Sequence, residues 1–231
     1  MCPDNLGSRL PRIPWRDFPP AELEQRLRLA IEATRSLGSR RVRLEPALSY
    51  GRHAAPPLPA ARPAAVILLF YPRDGQWHLP LALRPRHVKV HAGQVGLPGG
   101  GLEPGETLEQ CALRELREEL GVPPDVVRVV GELQPVFVYS SDYRVQPFVA
   151  VTACRPDFRL DPAEVEALLE LPVQHLLDPS NYGAHRITRQ LLEYDAPHIA
   201  FQGHRIWGAT AVILSEMIEV LRHAVADGQR P

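Results

Sequence analysis

A run of three glycines, followed at once by a capped helical segment, constrains the fold more than any other part of this 231-residue chain. Gly99 to Gly101 permit backbone conformations that other residues rarely adopt, and they let main-chain groups approach a ligand or an ion closely. Thr107, with Gln110 three residues later, forms a capping-box pattern, and Gly121 is suited to end a helix. The spacing therefore predicts a helix over residues 108–120 that is directly preceded by a glycine-rich loop.

The predicted helix separates acidic from aliphatic side chains. At 100° per residue, Glu115, Glu118 and Glu119 fall between about −60° and +40°, and the aliphatic side chains occupy the adjoining stripe. Like charges three and four residues apart destabilise an exposed helix by about 0.2–0.5 kcal/mol per pair. A hard divalent cation such as Mg²⁺ would remove this repulsion, because it takes carboxylate oxygens as ligands. The alternative is a solvated acidic face that Arg114 partly neutralises.

The glycine-rich loop favours the metal site over the solvated face. Placed directly before an acidic helix, such a loop can support a site for metal and phosphate. It is not a Walker loop, because no Gly-Lys-Ser/Thr sequence follows it, and it lacks the Gly-x-Gly-x-x-Gly spacing of dinucleotide-binding proteins.

A fixed pattern of glycine, glutamate and arginine spans the loop and the helix. Seven residue types at fixed spacing would match by chance in fewer than about one chain in ten thousand of this length. The pattern is that of the Nudix box, so the chain resembles the Nudix hydrolase superfamily, whose members act on nucleoside diphosphates linked to another moiety. The seven matching residues of fixed type are Gly100, Glu106, Arg114, Glu115, Glu118, Glu119 and Gly121, and the aliphatic Leu116 and Val122 match two further positions.

The resemblance implies both a fold and a chemistry. The expected fold is α+β, with a mixed β-sheet sandwiched between α-helices. Mg²⁺ or Mn²⁺ is the expected cofactor, and a metal-bound water is expected to attack one phosphorus of a P–O–P bridge. The metal ligands that the resemblance implies are Glu115, Glu118 and Glu119, with the backbone carbonyl near Gly99. The implied catalytic residues are these three glutamates with Glu106 and Arg114, which organise the site.

The general base is a separate question. Members of this superfamily often draw it from the helix or from a later loop, which makes Glu164 and Glu166 candidates. The alternative is that both are ordinary acids at the start of a helix.

Residues upstream of the box resemble the signature of the coenzyme A diphosphatase subgroup. An arginine, a second basic residue and a glycine lead into Pro-Gly-Gly, although the second basic position holds lysine where the subgroup has arginine. Cations at this place would hold the phosphates of coenzyme A; the alternative is a solvated basic strand end. The implied substrate-binding residues are Arg84, Lys89, Gly93, Gly99 and Gly100.

Two other functions stay open. The same chemistry could act on ADP-ribose, a dinucleotide or a nucleoside triphosphate, because the box determines the reaction type and not the substrate. A nucleotide-binding module without turnover is the third possibility, and the complete acidic set argues against it.

Prolines and apolar periodicity divide the chain. Residues 1–63 are predicted to comprise an extended arm, an amphipathic helix over 21–37 that caps the domain or forms a dimer contact, and a proline-rich connector. Residues 64–225 are expected to form the Nudix hydrolase domain and 226–231 a tail. The elements predicted within the domain are a hairpin of strands 64–71 and 77–84, further β-rich runs over 126–138 and 144–153, and a final helix over 207–225.

Composition restricts partners and compartment. Lys plus Arg number 26 against 27 Asp plus Glu, so no overall basic field attracts nucleic acid. Three cysteines, an odd number without metal-ligand spacing, favour a reducing compartment. Neither a signal sequence nor a membrane-spanning run is recognisable. The expectation is a cytoplasmic protein, monomeric or homodimeric, whose partner is a small nucleotide diphosphate, with neither nucleic acid nor membrane bound.

Overall fold

The computed structural model of the chain describes residues 18–36, 44, 61–87, 91–138, 141–189 and 192–226. Lys89, the N-terminal arm up to residue 17, most of the connector and residues 227–231 lie outside the described residues. In chain order the described helices and strands are α1 (Pro20–Ser36), β1 (Arg62–Arg73), β2 (Gln76–Leu83), β3 (Val95–Gly96), β4 (Gly99–Gly101), α2 (Leu108–Leu120), β5 (Arg128–Glu132), β6 (Val136–Val138), β7 (Tyr143–Val151), β8 (Ala167–Pro172), α3 (Val173–Leu177), β9 (Tyr182–Arg189), β10 (Leu192–Phe201), β11 (His204–Trp207) and α4 (Gly208–Ala226).

Strand β1 lies at the centre of a mixed sheet. It pairs in parallel with β7 and in antiparallel fashion with β2 and β4. Strand β7 also pairs with β5 and β6, and β2 also pairs with β3 and β8. Strands β9, β10 and β11 form a separate antiparallel sheet. The pairing of β1 with β4 is what brings the glycine-rich loop against the central strand.

Helices cover both faces of the mixed sheet. Because side chains alternate along a strand, Ile67 and Leu69 of β1 contribute to the core beneath α2, and Leu68 and Phe70 to the core beneath α1 and α4. All four side chains are fully buried. This arrangement confirms the predicted α+β fold with a mixed sheet between helices.

Helix α1 is part of the packed structure. The sequence predicts it over 21–37, and it spans Pro20–Ser36. Leu23 and Leu27 are fully buried, and the helix packs against α4 and β5. Arg26 adds a bond from Nη1 to the carbonyl of Ala224, at 3.1 Å. The apolar face of α1 is therefore covered by the chain itself, which is the capping alternative of the two that the sequence left open.

The first hairpin and the last helix follow the sequence prediction. Strands β1 and β2 are joined by Asp74 and Gly75, whose φ angles of 51° and 69° are those of a two-residue hairpin turn. Helix α4 spans Gly208–Ala226, close to the predicted 207–225.

Two segments differ from the prediction. The interpretation of Glu164 and Glu166 as acids at a helix start is wrong, because residues 161–165 form a turn that leads into β8. The Asp161 carboxylate accepts a bond from the N–H of Ala163, at 2.9 Å, and this local bond stabilises the turn. Strands β8 to β11 were not predicted at all.

Candidate active site

Helix α2 begins and ends at the predicted residues. Thr107 Oγ1 accepts a bond from the Gln110 N–H at 3.2 Å, and Gln110 Oε1 accepts one from the Thr107 N–H at 2.8 Å. Gly121 ends the helix in the left-handed conformation, with φ 71°. The capping box therefore sets the rotation and the start of the helix that carries the acidic residues.

Two glycines of β4 are required by close approach. A Cβ at Gly99 would collide with the main chain of β1, at Ala65 O and at Val66 Cα. A Cβ at Gly100 would collide with the carboxylate of Glu115. The first glycine thus lets β4 lie against β1, and the second leaves the space that the Glu115 carboxylate occupies.

Three carboxylates converge above the loop. One oxygen from each of Glu115, Glu119 and Glu164 lies within 4.8 Å of the other two. The turn that carries Glu164 is held in place because the Asp161 N–H donates to the main-chain oxygen of Glu119 at 3.0 Å. We call Glu115, Glu119 and Glu164 the carboxylate cluster.

Glu119 is the most buried member of the cluster, with 2% of its surface exposed. Its Oε2 accepts a bond from the Gly99 N–H at 3.2 Å, and its Oε1 lies 3.5 Å from Arg84 Nη1. Burial raises the pKa of Glu119 to about 8, although the positive charge of Arg84 and the Gly99 N–H act in the opposite direction. Burial likewise raises the pKa of Glu115, against the opposing effect of its bond to Arg114.

Arg114 fixes the base of the site. Its Nε and Nη2 grip both oxygens of Glu106, at 3.0 and 2.8 Å, and Nη2 also donates to the Gly101 carbonyl at 3.1 Å. Its Nη1 donates to Glu115 and to Glu118, at 2.9 Å each. Hydrogen bonds from Arg114 lower the pKa of Glu106 to about 2. This bidentate arrangement ties the loop to the helix.

Glu118 is placed differently from the other two predicted metal ligands. Its side chain is 49% exposed and paired with Arg114. The carboxylate cluster found among the described residues contains Glu115 and Glu119 but not Glu118. Glu164, which the sequence suggested only as a base, takes the third position, whereas Glu166 lies outside the cluster and is exposed.

Of the predicted substrate-binding residues, Arg84 directly follows β2, Gly93 lies in the segment before β3, and Gly99 and Gly100 lie in β4. Gly93 donates its N–H to the Arg84 carbonyl at 3.1 Å, and the Arg84 N–H donates to Gln94 O at 3.0 Å. Gly93 has φ 66°, so the turn needs its conformational freedom. The Arg84 guanidinium reaches Glu119, and its buried Nε has no hydrogen-bond partner among the residues that the structure describes. Lys89 lies outside the described residues.

The donor set of the cluster suits a hard divalent cation. Mg²⁺ and Mn²⁺ prefer carboxylate oxygens, and the cluster offers oxygen from three glutamates within one small space. Three acids at such distances repel one another when they are ionised, and a cation between them would remove that cost. The residues present therefore fit the predicted metal.

Comparison with known proteins identifies the family. The family model described as NUDIX domain matches residues 61–191, more than half of the chain. The Yersinia pestis (strain Pestoides F) protein named "Uncharacterized Nudix hydrolase NudL" is 35% identical over 142 residues, which cover 61% of this chain and 71% of that protein.

Two solved structures of proteins to which this chain is similar are a Nudix hydrolase and a MutT protein. The Nudix hydrolase RenU from M. Smegmatis has a TM-score of 0.44 and 23% identity, with 50% of this chain and 73% of that chain covered. The MutT protein from Methanosarcina mazei Go1 has a TM-score of 0.46 and 17% identity, with 73% of this chain and 96% of that chain covered.

The chain belongs to the Nudix family. It is a hydrolase of the class that acts on nucleoside diphosphate derivatives. Among the helices that the structure describes, none is both long and apolar enough to cross a membrane.

Proposed function

We propose that this Nudix hydrolase is a Mg²⁺- or Mn²⁺-dependent diphosphatase of coenzyme A or its thioesters. The products are 3′,5′-ADP and 4′-phosphopantetheine or its acyl form. The observation that carries the substrate proposal is Arg84, which stands where the subgroup signature has its first arginine and reaches the carboxylate cluster with a buried Nε that is hydrogen-bonded to no described residue. An unpaired buried donor beside a metal-binding cluster is suited to a phosphate oxygen of the substrate.

Glu115 and Glu119 are the proposed metal ligands from α2, and Glu164 is the proposed third acid. Glu118 remains a proposed ligand on the resemblance alone, because its side chain is 49% exposed and paired with Arg114. When bound, the divalent metal lowers the pKa of a coordinated water and neutralises charge on the diphosphate oxygens.

The protein side chains then have distinct tasks. Arg114 holds Glu115 in place and ties the loop to the helix through Glu106. Glu164 is the proposed acceptor of the proton from the attacking water, since its turn brings it to the cluster and leaves it exposed. The water oxygen forms a bond to one phosphorus, the bridging P–O bond breaks, and the leaving phosphate takes the electron pair.

The remaining proposals concern partners and location. We propose a small nucleotide diphosphate as the only class of substrate, a cytoplasmic location, and a monomer or homodimer. Of the described cysteines, Cys111 is buried, Cys154 is exposed, and both are free thiols.

A substrate panel tests the proposed function. Purified protein with Mg²⁺ or Mn²⁺ is given coenzyme A, acetyl-coenzyme A, ADP-ribose, a dinucleotide and a nucleoside triphosphate, and products are identified by mass spectrometry. Preferred release of 3′,5′-ADP from coenzyme A supports the proposal, whereas equal or better turnover of ADP-ribose removes the coenzyme A assignment. No turnover of any compound would favour the binding module.

A matched pair of variants tests the roles of the residues. Glu119→Gln removes a cluster carboxylate and is expected to lower turnover at least about 100-fold while the fold is retained. Glu109→Gln is the control, because Glu109 is an exposed acid in the first turn of the same helix. Near-normal hydrolysis by Glu119→Gln would contradict the metal assignment.

A further inference from the structure

We propose that Arg84 is a two-position switch between metal and substrate. Its guanidinium pairs with Glu119 while the carboxylate cluster holds no metal, and it turns to a substrate phosphate once a divalent ion occupies the cluster. The inference rests on the proposed function, because it assumes that the cluster binds a metal beside a diphosphate. It adds a residue that couples the two binding events.

The first observation is the environment of Glu119. The carboxyl group of Glu119 is almost completely buried, and its ionised form needs a positive partner there. Within the described residues, the cationic side chain in ion-pair distance of Glu119 is Arg84, with Nη1 to Oε1 at 3.5 Å. The other neighbouring acids, Glu115 and Glu164, add negative charge. Arg84 therefore stands where positive charge is required.

The second observation is that Arg84 is held loosely. Its contact with Glu119 is longer than the 2.7–2.9 Å of a strong charge-assisted hydrogen bond. No described residue bonds its buried Nε, and 32% of the side chain is exposed. Arg114 offers the contrast, because it grips Glu106 with two bonds and is 17% exposed. One arginine of the site is fixed, and the other has donors to spare.

The third observation is that only the side chain of Arg84 is free to move. Its main chain is bonded on both sides, from its N–H to Gln94 O and from the Gly93 N–H to its carbonyl. The preceding residue, Leu83, accepts a bond from the Glu166 N–H at 2.8 Å, which joins the end of β2 to the turn that carries Glu164. Rotation of the side chain would move the guanidinium without disturbing the carboxylate cluster.

The consequence is a coupling between ligands. A divalent ion at the cluster supplies the positive charge that Glu119 needs, and it repels the guanidinium. The released donors then face a phosphate, so metal and substrate each raise the affinity of the protein for the other. Linkage requires that the two effects be equal, and such couplings typically amount to about 5- to 150-fold.

The test measures Mn²⁺ binding to the full chain by electron paramagnetic resonance of the free ion, in the absence of nucleotide. Arg84→Gln removes the competing charge and is expected to bind Mn²⁺ about three- to tenfold more tightly than the unmodified protein. Arg84→Lys keeps the charge and is expected to stay within about twofold. Arg86→Gln is the matched control: Arg86 is an exposed arginine two residues further on, and its variant is expected to leave Mn²⁺ affinity unchanged.

The second measurement is the affinity for α,β-methylene-ADP, a diphosphate whose P–C–P bridge resists hydrolysis. Arg84→Gln is expected to bind this probe at least about tenfold more weakly in saturating Mn²⁺, so the variant changes the two affinities in opposite directions. Weaker or unchanged Mn²⁺ binding by Arg84→Gln would overturn the switch. Should that variant misfold by circular dichroism, Arg84→Met removes the charge, keeps the apolar stem and provides the same comparison.

Glu119→Gln separates this inference from the proposed function. If the unmodified protein binds Mn²⁺ and Glu119→Gln does not, the metal site stands whatever Arg84 does. If Glu119→Gln binds Mn²⁺ as tightly as the unmodified protein, the proposed metal site itself fails, and the switch fails with it.

Discussion

Replacing each of two adjacent glycines by alanine separates folding from metal binding. At Gly99 the added methyl group meets main-chain atoms of β1, including Val66 Cα at 2.7 Å, and a paired strand cannot give way. At Gly100 the same methyl group meets the end of the Glu115 side chain, with Cδ at 2.5 Å, and that end can rotate away. The two variants add identical atoms one residue apart, so each is the control for the other.

The expected magnitudes follow from what must move. Overpacking against a main chain costs about 1–3 kcal/mol, so Gly99→Ala is expected to lower the melting temperature by about 2–12 °C at 2–4 °C per kcal/mol. Gly100→Ala is expected to change stability by less than about 1 kcal/mol, because alanine also restricts the unfolded chain. Its effect falls on Glu115, whose displacement is expected to weaken Mn²⁺ binding about 10- to 100-fold.

Thermal unfolding by circular dichroism in EDTA gives the stability of both variants, and Mn²⁺ titration at a temperature where both are folded gives their metal affinity. Gly99→Ala is expected to lose stability, and Gly100→Ala is expected to lose metal affinity. A Gly100→Ala variant that binds Mn²⁺ as tightly as the unmodified protein would refute the argument that Gly100 makes space for the Glu115 carboxylate.

Three further predictions concern the pH dependence of Glu106, the reactivity of Cys111 and the packing of α1. The pKa of Glu106 is lowered in the folded protein, so its ionised form contributes stability that is complete above the ordinary pKa of 4.5 and is lost as the pH falls toward about 2. Glu106→Gln should therefore destabilise the protein at pH 7, as measured by urea titration. The destabilisation should become smaller below pH 4.5. Burial raises the pKa of Cys111 to about 12, so a thiol reagent with peptide mapping should label exposed Cys154 in the native protein and Cys111 only after unfolding. Leu27→Ala should cost about 2–5 kcal/mol in urea unfolding if α1 is integral to the core, and less than about 1 kcal/mol would contradict this.

Local signals in the sequence were sufficient to predict α2 and its loop. The capping box and Gly121 act within one helical turn of the residues they organise, so the predicted bounds of 108–120 are confirmed. The first hairpin was predictable for the same reason, since Asp74 and Gly75 supply the two positive φ angles that its turn needs.

Tertiary pairing determines the parts of the site that the sequence did not specify. Glu164 joins the carboxylate cluster only because β8 pairs with β2 and Asp161 bonds to the end of α2, and neither contact is local in the chain. Asp161 followed by Pro162 is itself a pattern that favours a helix start, so no local signal distinguished this turn from a helix. The proximity of Arg84 to Glu119 likewise depends on how β2 packs beside α2.

The second sheet was missed for a different reason. Strands β9 and β10 carry many charged and polar residues, and Pro197 interrupts the second of them, so neither shows the apolar alternation of a buried strand. The turn at Gln202 and Gly203, whose φ angles are 48° and 79°, was the available signal for the hairpin of β10 and β11.

Anomalous diffraction from crystals grown with Mn²⁺ would show whether the carboxylate cluster binds a divalent ion. A strong anomalous peak is expected about 2.0–2.2 Å from carboxylate oxygens of Glu115 and Glu119, with Glu164 facing the same ion. The height of that peak should fall to background in Glu119→Gln crystals. Ordered glutamates with no peak between them at millimolar Mn²⁺, or an unchanged peak in Glu119→Gln, would contradict the proposed metal site.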